Sequence, residues 1–194
     1  MTRHFQRQLL GTLLLATVAV LHPVIAPAAA DIPSSGSCAE IIKPFGSPLE
    51  LSPVVRTTLL NWLDCEECTG PSLKAVKILG PSVVPYLACA LYTGAPSGKL
   101  APLAQFLKQR YGELLQYKAN HSDAVVSLSE RVYIATHLSH LQIQYQLRAT
   151  TALGAIGSPS ARLALEKALD PASHLDLSEV VRITIQETLQ TMPH

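Results

Sequence analysis

The stretch Leu147-Arg148-Ala149-Thr150-Thr151-Ala152-Leu153-Gly154-Ala155-Ile156-Gly157-Ser158-Pro159-Ser160-Ala161 decides the fold. It reads as an amphipathic helix, a tight Gly/Ser/Pro turn, and the start of a second helix. Ala149, Ala152, Leu153 and Ile156 form one helical stripe; Ala161, Ala164, Leu165, Ala168 and Leu169 form another beyond the turn. Small residues crowd the first helix (Ala149, Thr150, Thr151, Ala152, Gly154, Ala155), a composition that lets neighbouring helix axes approach closely. The opening Arg-x-Thr recurs at Arg56-Thr57-Thr58 and Arg182-Ile183-Thr184, again on helical patterns. Recurrence of one helix pattern tens of residues apart points to a stacked repeat, and such folds work as binding surfaces.

Working outward, Ser52 and Pro53 mark an N-cap and first helical position. Val55, Thr58, Leu59, Trp62 and Leu63 follow on one face. A helix over Leu73 to Leu79 stops at Gly80, and a further one runs from Pro81-Ser82 to Thr93-Gly94. Leu100, Leu103, Leu107 and Leu114 predict a longer helix to about Lys118, followed by a polar break over residues 119–123. Another helix passes through Ile134, Leu138, Leu141 and Tyr145, and the last carries Val181, Ile185, Leu189 and Met192. No sustained alternation with turn signals is found, so the expected class is all-α.

The first thirty residues read as a secretory signal: Arg3 and Arg7, an apolar run of 13 residues from Leu9 to Leu21, then Ala28-Ala29-Ala30 before Asp31. That run is short of the roughly 20 residues needed to span a bilayer. Residues 31–52, rich in Pro, Ser and Gly, read as an extended arm pinned through Ile41, Ile42 and Phe45; residues 53–194 form the helical domain. The expected location is therefore periplasmic or extracellular. Removal of residues 1–30 leaves 164 residues with 13 basic against 14 acidic side chains. Such a near-neutral chain lacks the footprint of a nucleic-acid binder. No further apolar stretch is read as long enough to cross a membrane.

The segment 147–157, with Ala161, Leu165 and Leu169, resembles the HEAT-repeat (armadillo-like) family in its short bacterial form. Ala75-Val76-Lys77-Ile78-Leu79-Gly80-Pro81-Ser82-Val83-Val84-Pro85-Tyr86-Leu87 is similar to the turn and second helix of another unit. With Trp62, Cys65 and Cys68 it resembles the opening of exported bacterial HEAT-like proteins. Residues 95–140 depart from the pattern. The resemblance implies a short α-solenoid of helix pairs, a non-catalytic protein-interaction or scaffolding role, another protein as partner, and no cofactor. Trp62, Tyr86 and Tyr92 are candidate aromatic anchors, and Arg56, Arg148 and Arg182 candidate partner contacts, although arginines at these positions more readily lace units together through the carbonyls of adjoining helix ends. A helical Thr, for its part, can bond back to an upstream carbonyl.

Four cysteines, Cys38, Cys65, Cys68 and Cys89, suit disulfides in an oxidising compartment, with three connectivities open. Cys65 and Cys68 favour a local bridge. Cys38 with Cys89 would tie the arm to the helices, Cys89 as a buried thiol being the alternative. A thiol–disulfide oxidoreductase is the rival use of Cys65 and Cys68, but Asp64, Glu66 and Glu67 oppose a stabilised thiolate. Tetrapyrrole-lyase-like activity, implied for some HEAT-like proteins, conflicts with export. His137 and His140, three apart on a helix, lack a third metal ligand in sequence, so no metal is assigned. Ser129 and His121 lack the context of a catalytic nucleophile or base, and Asn120-His121-Ser122 fits a glycosylation sequon.

Overall fold

The computed structural model describes Cys38, Lys43–Phe45, residues 50–65, Cys68 and residues 70–193. The segment read as a secretory signal, most of the segment read as an arm (Ile41 and Ile42 included), and Glu66, Glu67 and Thr69 lie outside the described residues. Within the described residues every regular element is a helix.

Seven α-helices follow in order: α1 (Pro53–Leu63), α2 (Gly70–Leu79), α3 (Val84–Thr93), α4 (Ser97–Asn120), α5 (Glu130–Ile156), α6 (Pro159–Leu169) and α7 (Glu179–Thr191). Their ends follow from local chemistry. Ser52 caps α1 by accepting the Val55 N–H through its hydroxyl at 3.4 Å, with Pro53 at the first position. Ser129 caps α5 in the same way through Val132, and Ser158 caps α6 through Ala161. These side-chain oxygens satisfy amide donors that have no partner inside the helix. Helix α5 ends at Gly157, whose left-handed φ of 65° a residue with a Cβ adopts only with strain, and the Gly157 N–H donates to the Leu153 carbonyl.

The two patterns read at Ile134–Tyr145 and Ala149–Ile156 merge into the single 27-residue helix α5. It packs against α1, α2, α3, α4, α6 and α7, so it is the hub of the domain. Its carboxyl half is buried through Tyr145, Ala149, Thr150, Ala152 and Leu153. The small residues there do what their size permits. A Cβ added at Gly154 would overlap Thr188 Cγ2 of α7, so these helices meet at the glycine. Helix α3 is buried at seven of the eight positions from Val84 to Leu91, Tyr86 being only partly covered, because it is packed by α5 and α6. A core of Leu59, Trp62, Val76, Leu87, Leu91, Leu153, Leu165 and Ile185 joins all parts of this packing.

One sequence expectation is corrected here. Residues Gly70–Thr93 are long and apolar enough, by length and composition, to cross a membrane. The stretch is not one α-helix, however. Gly80 takes φ +66° and a 3-10 turn, Gly80–Val83, separates α2 from α3. Half of its most apolar window is buried inside the domain.

Helices α4 and α5 form a hairpin. Near the domain Leu107 and Tyr111 are buried, and the Tyr111 hydroxyl donates to the Leu128 carbonyl at 2.7 Å, fastening the connecting loop. From Gly112 to Asn120 every residue of α4 is exposed. The departure of residues 95–140 from the repeat pattern is thus a hairpin whose distal end stands clear of the core.

Candidate functional site

A polar cavity lies where α1, α4 and α5 meet, a second hollow lies beside Tyr92, and the hairpin exposes apolar side chains.

The cavity, about 460 Å³, is lined by Asp64, Lys99, Leu141, Gln144, Tyr145 and Arg148. Asp64 follows the last residue of α1, an unfavourable place for a carboxylate because the helix carbonyls there carry partial negative charge. Three neighbours compensate. The Tyr145 hydroxyl donates to Asp64 Oδ1, and Lys99 Nζ lies 2.8 Å from Oδ2. Arg148, one turn along α5 from Tyr145, donates from Nη1 to the Leu63 carbonyl at 2.6 Å, filling an acceptor left open by the helix end. In return the Arg148 carbonyl accepts the Trp62 indole N–H at 2.9 Å. Burial, then the Asp64 hydrogen bond and charge, hold the Tyr145 phenol well above its ordinary pKa, against the opposing charge of Arg148. The hydroxyl is therefore a fixed donor at any ordinary pH.

A second hollow of about 340 Å³ is formed by Phe45, Tyr92, Lys167, Asp170 and Leu175, with Pro44, Ala172 and Ser173. Phe45 is buried against Tyr92, with ring centroids 6.0 Å apart, so the arm is pinned at Phe45. The Tyr92 hydroxyl donates to the Ala164 carbonyl at 3.2 Å; burial, then Asp170, push its pKa up to about 12.

These contacts redistribute the candidate residues. Trp62 is only 4% exposed and bonded to the Arg148 carbonyl, so its side chain packs in the core. Tyr92 is likewise engaged between α3 and α6. Tyr86 is half-buried. Of the three repeated arginines, Arg148 hydrogen-bonds across to the end of another helix, while Arg56 on α1 lies near enough to Tyr86 of α3 for its charge to act on that phenol. Arg182 donates to the nearby Leu177 carbonyl at 3.2 Å, with Glu179 at 3.9 Å, and Arg56 lies on the exposed face of α1. The threonines do behave alike: Thr58, Thr150 and Thr184 each donate to the carbonyl four residues back. Arg162, which no repeat pattern singled out, performs for α7 what Arg148 performs for α1. Its Nη2 reaches the Met192 and Pro193 carbonyls at 3.0 and 3.2 Å.

The cysteines fall into two pairs at disulfide distance, Cys38 with Cys89 and Cys65 with Cys68, with Cα separations of 5.6 and 5.5 Å. Cys38 and Cys89 are buried; Cys68 is exposed. His137 is tied to the Tyr133 carbonyl at 2.8 Å and packs on the Tyr133 ring, and among the described residues no group of three metal-ligating side chains occurs. Ser129 is spent as an N-cap, and His121 stacks on Tyr117 with centroids 3.9 Å apart.

The hairpin surface was not legible in the sequence. Phe106, 53% exposed, and Tyr117, 57% exposed, lie eleven residues apart on α4, about three turns, so they share a face. Leu114 lies beside them, and Leu128 and Val132 are exposed where the loop enters α5. Of the other large exposed apolar residues, Leu115 lies on the opposite side of α4, Val180 and Ile183 pair three apart on α7, and Ile78 stands singly, as exposed apolar residues ordinarily do.

No family model, curated protein or solved structure matches the chain. The functional reading therefore rests on sequence and geometry.

Proposed function

We propose that this is an exported, HEAT-like helical-repeat protein that acts without catalysis, by docking another polypeptide on the α4–α5 hairpin. The carrying observation is the clustered exposure of Phe106, Leu114 and Tyr117 on a helix otherwise able to bury apolar groups. In this reading α2 and α3 make one unit, α5 and α6 the next, and α7 begins a third. Packing of α2 on α5, α5 on α7, and α3 on α6 supports that order. The hairpin is then an elongation inserted between units. Two buried or local cysteine pairs at disulfide distance suit an oxidising compartment, in keeping with export through residues 1–30.

Replacement of Phe106 and Tyr117 by Ser tests the docking surface. Both are exposed, so stability should change by no more than about 0.5 kcal/mol. The doubly substituted protein should lose a partner that wild type retains from the exported fraction. Equal retention by both proteins would remove the hairpin as the docking surface. Export itself predicts an intact mass for the secreted chain beginning at Asp31; a chain retaining Met1 would contradict it.

A further inference from the structure

The polar cavity between α1, α4 and α5 has a composition that the latch around Asp64 does not exhaust. We infer that it is a binding site for a single carboxylate, presented by a small organic acid or by the free end of a peptide, held by Arg148, Lys99 and Gln144 against an apolar wall of Leu141 and the Tyr145 ring.

Charge selects the ligand. The lining carries two cations, Lys99 and Arg148, and one carboxylate, Asp64. Asp64 is not displaced by a ligand at low cost, because Tyr145 and Lys99 both hold it. The side chains of the lining therefore carry one positive charge in excess, offset only in part by the carbonyl end of α1, and a single carboxylate is enough to neutralise it. A dianion such as phosphate would leave the site negative, next to an Asp64 that cannot move away. Donor geometry agrees. Arg148 uses Nη1 on the Leu63 carbonyl, which anchors one end of the guanidinium, and an anchored fork loses less freedom when its remaining donors take a carboxylate. Lys99 brings an ammonium with three donors, one directed at Asp64. Gln144 is exposed and supplies an amide at the rim. The volume of about 460 Å³ exceeds one carboxylate and leaves space for the apolar group that carries it. This inference does not depend on the hairpin as a docking surface.

The chain's single tryptophan reports on the site. Trp62 donates its indole N–H to the carbonyl of Arg148, so a ligand that draws on Arg148 perturbs the indole resonance. The experiment follows the Trp62 indole ¹H–¹⁵N signal during titration of the full exported chain with acetate, N-acetyl-alanyl-leucine, the same dipeptide as its amide, and inorganic phosphate. Saturable shifts are expected with both carboxylates and not with the amide. A dipeptide acid that binds about tenfold or more tighter than acetate identifies a peptide end as the ligand source; equal affinity identifies a small free acid. Gln144→Glu puts a second negative charge at the rim without touching the latch and should weaken carboxylate binding about tenfold or more. Lys99→Gln, checked for retained helix content, should do likewise. Overturning results are a dipeptide amide as effective as the acid, phosphate binding tighter than acetate, absence of saturation with every probe, or Gln144→Glu binding as wild type does.

Discussion

Replacing each of the repeated arginines by alanine separates what the sequence presents as equivalent. In Arg148→Ala, the charged hydrogen bond to the Leu63 carbonyl is lost and that carbonyl is left at the end of a buried helix turn. Hydrogen bonds to charged groups contribute about 1.5–3 kcal/mol, and removal of the aliphatic stem adds to the loss, so a cost of about 2–3 kcal/mol is expected. The Trp62 bond survives, because it uses the Arg148 backbone carbonyl. Arg182→Ala forfeits a bond within its own approach to α7 and should cost at most about 1 kcal/mol. Arg56→Ala, on an exposed face, should stay within about 0.5 kcal/mol. For a domain of this size 1 kcal/mol moves Tm by roughly 2–4 °C, so Arg148→Ala should melt about 4–12 °C below wild type. Urea unfolding followed by Trp62 fluorescence gives the three values on one scale. Equal costs for all three arginines would refute the distinction between Arg148, which fills the carbonyl of another helix end, and the two exposed arginines.

Two glycines inside helices should respond in opposite directions. Gly154→Ala meets Thr188 and should destabilise by up to about 2 kcal/mol, overpacking outweighing the gain in helix propensity, while Gly112→Ala meets nothing and should stabilise by up to about 1 kcal/mol in thermal unfolding. Removing the Cys38–Cys89 pair, separated by 51 residues, should cost about 4 kcal/mol against about 2 kcal/mol for Cys65–Cys68, separated by 3, by the chain-entropy relation; denaturation of the paired Ser variants measures both. Tyr92 makes the fold sensitive to alkali. Its phenol is pushed up to about 12 in the folded chain, so above about pH 10 the unfolded chain releases that proton first. Its stabilising contribution is therefore complete below pH 10 and declines as pH rises toward 12, and Tyr92→Phe should flatten that decline in stability-versus-pH curves.

Helix boundaries were largely legible because they depend on neighbours in the chain. Ser52-Pro53, Gly80, Gly94 and the Gly157-Ser158-Pro159 turn each act over three or four residues, and α1, α3 and α6 start or stop where those residues demand. Gly154 was legible for a related reason: a helix crowded with small residues has few uses other than close approach. The carboxylate cavity was not legible. It joins Asp64 to Lys99 and Tyr145, 35 and 81 residues away, and no local pattern carries such pairings. A signal did exist, since a carboxylate at a helix carboxyl end opposes the helix dipole and calls for a compensating cation. Trp62 was drawn toward the partner by its type and toward the core by its stripe; the indole bond to Arg148 sides with the core. Phe106 and Tyr117 were missed because the leucine stripe of α4 reads as a core face, and its periodicity does not say that the hairpin's distal end leaves the core.

Photocrosslinking from defined positions in the producing cell tests docking on the hairpin most directly. A photoreactive side chain is placed at Phe106, at Tyr117 and, as a control, at Ile78, which is 84% exposed but isolated. A discrete polypeptide crosslinked from positions 106 and 117 and not from position 78 is the predicted result. Crosslinking from Ile78 alone, or the same diffuse labelling from all three positions, would contradict the claim that the α4–α5 hairpin is the surface on which this protein holds its partner.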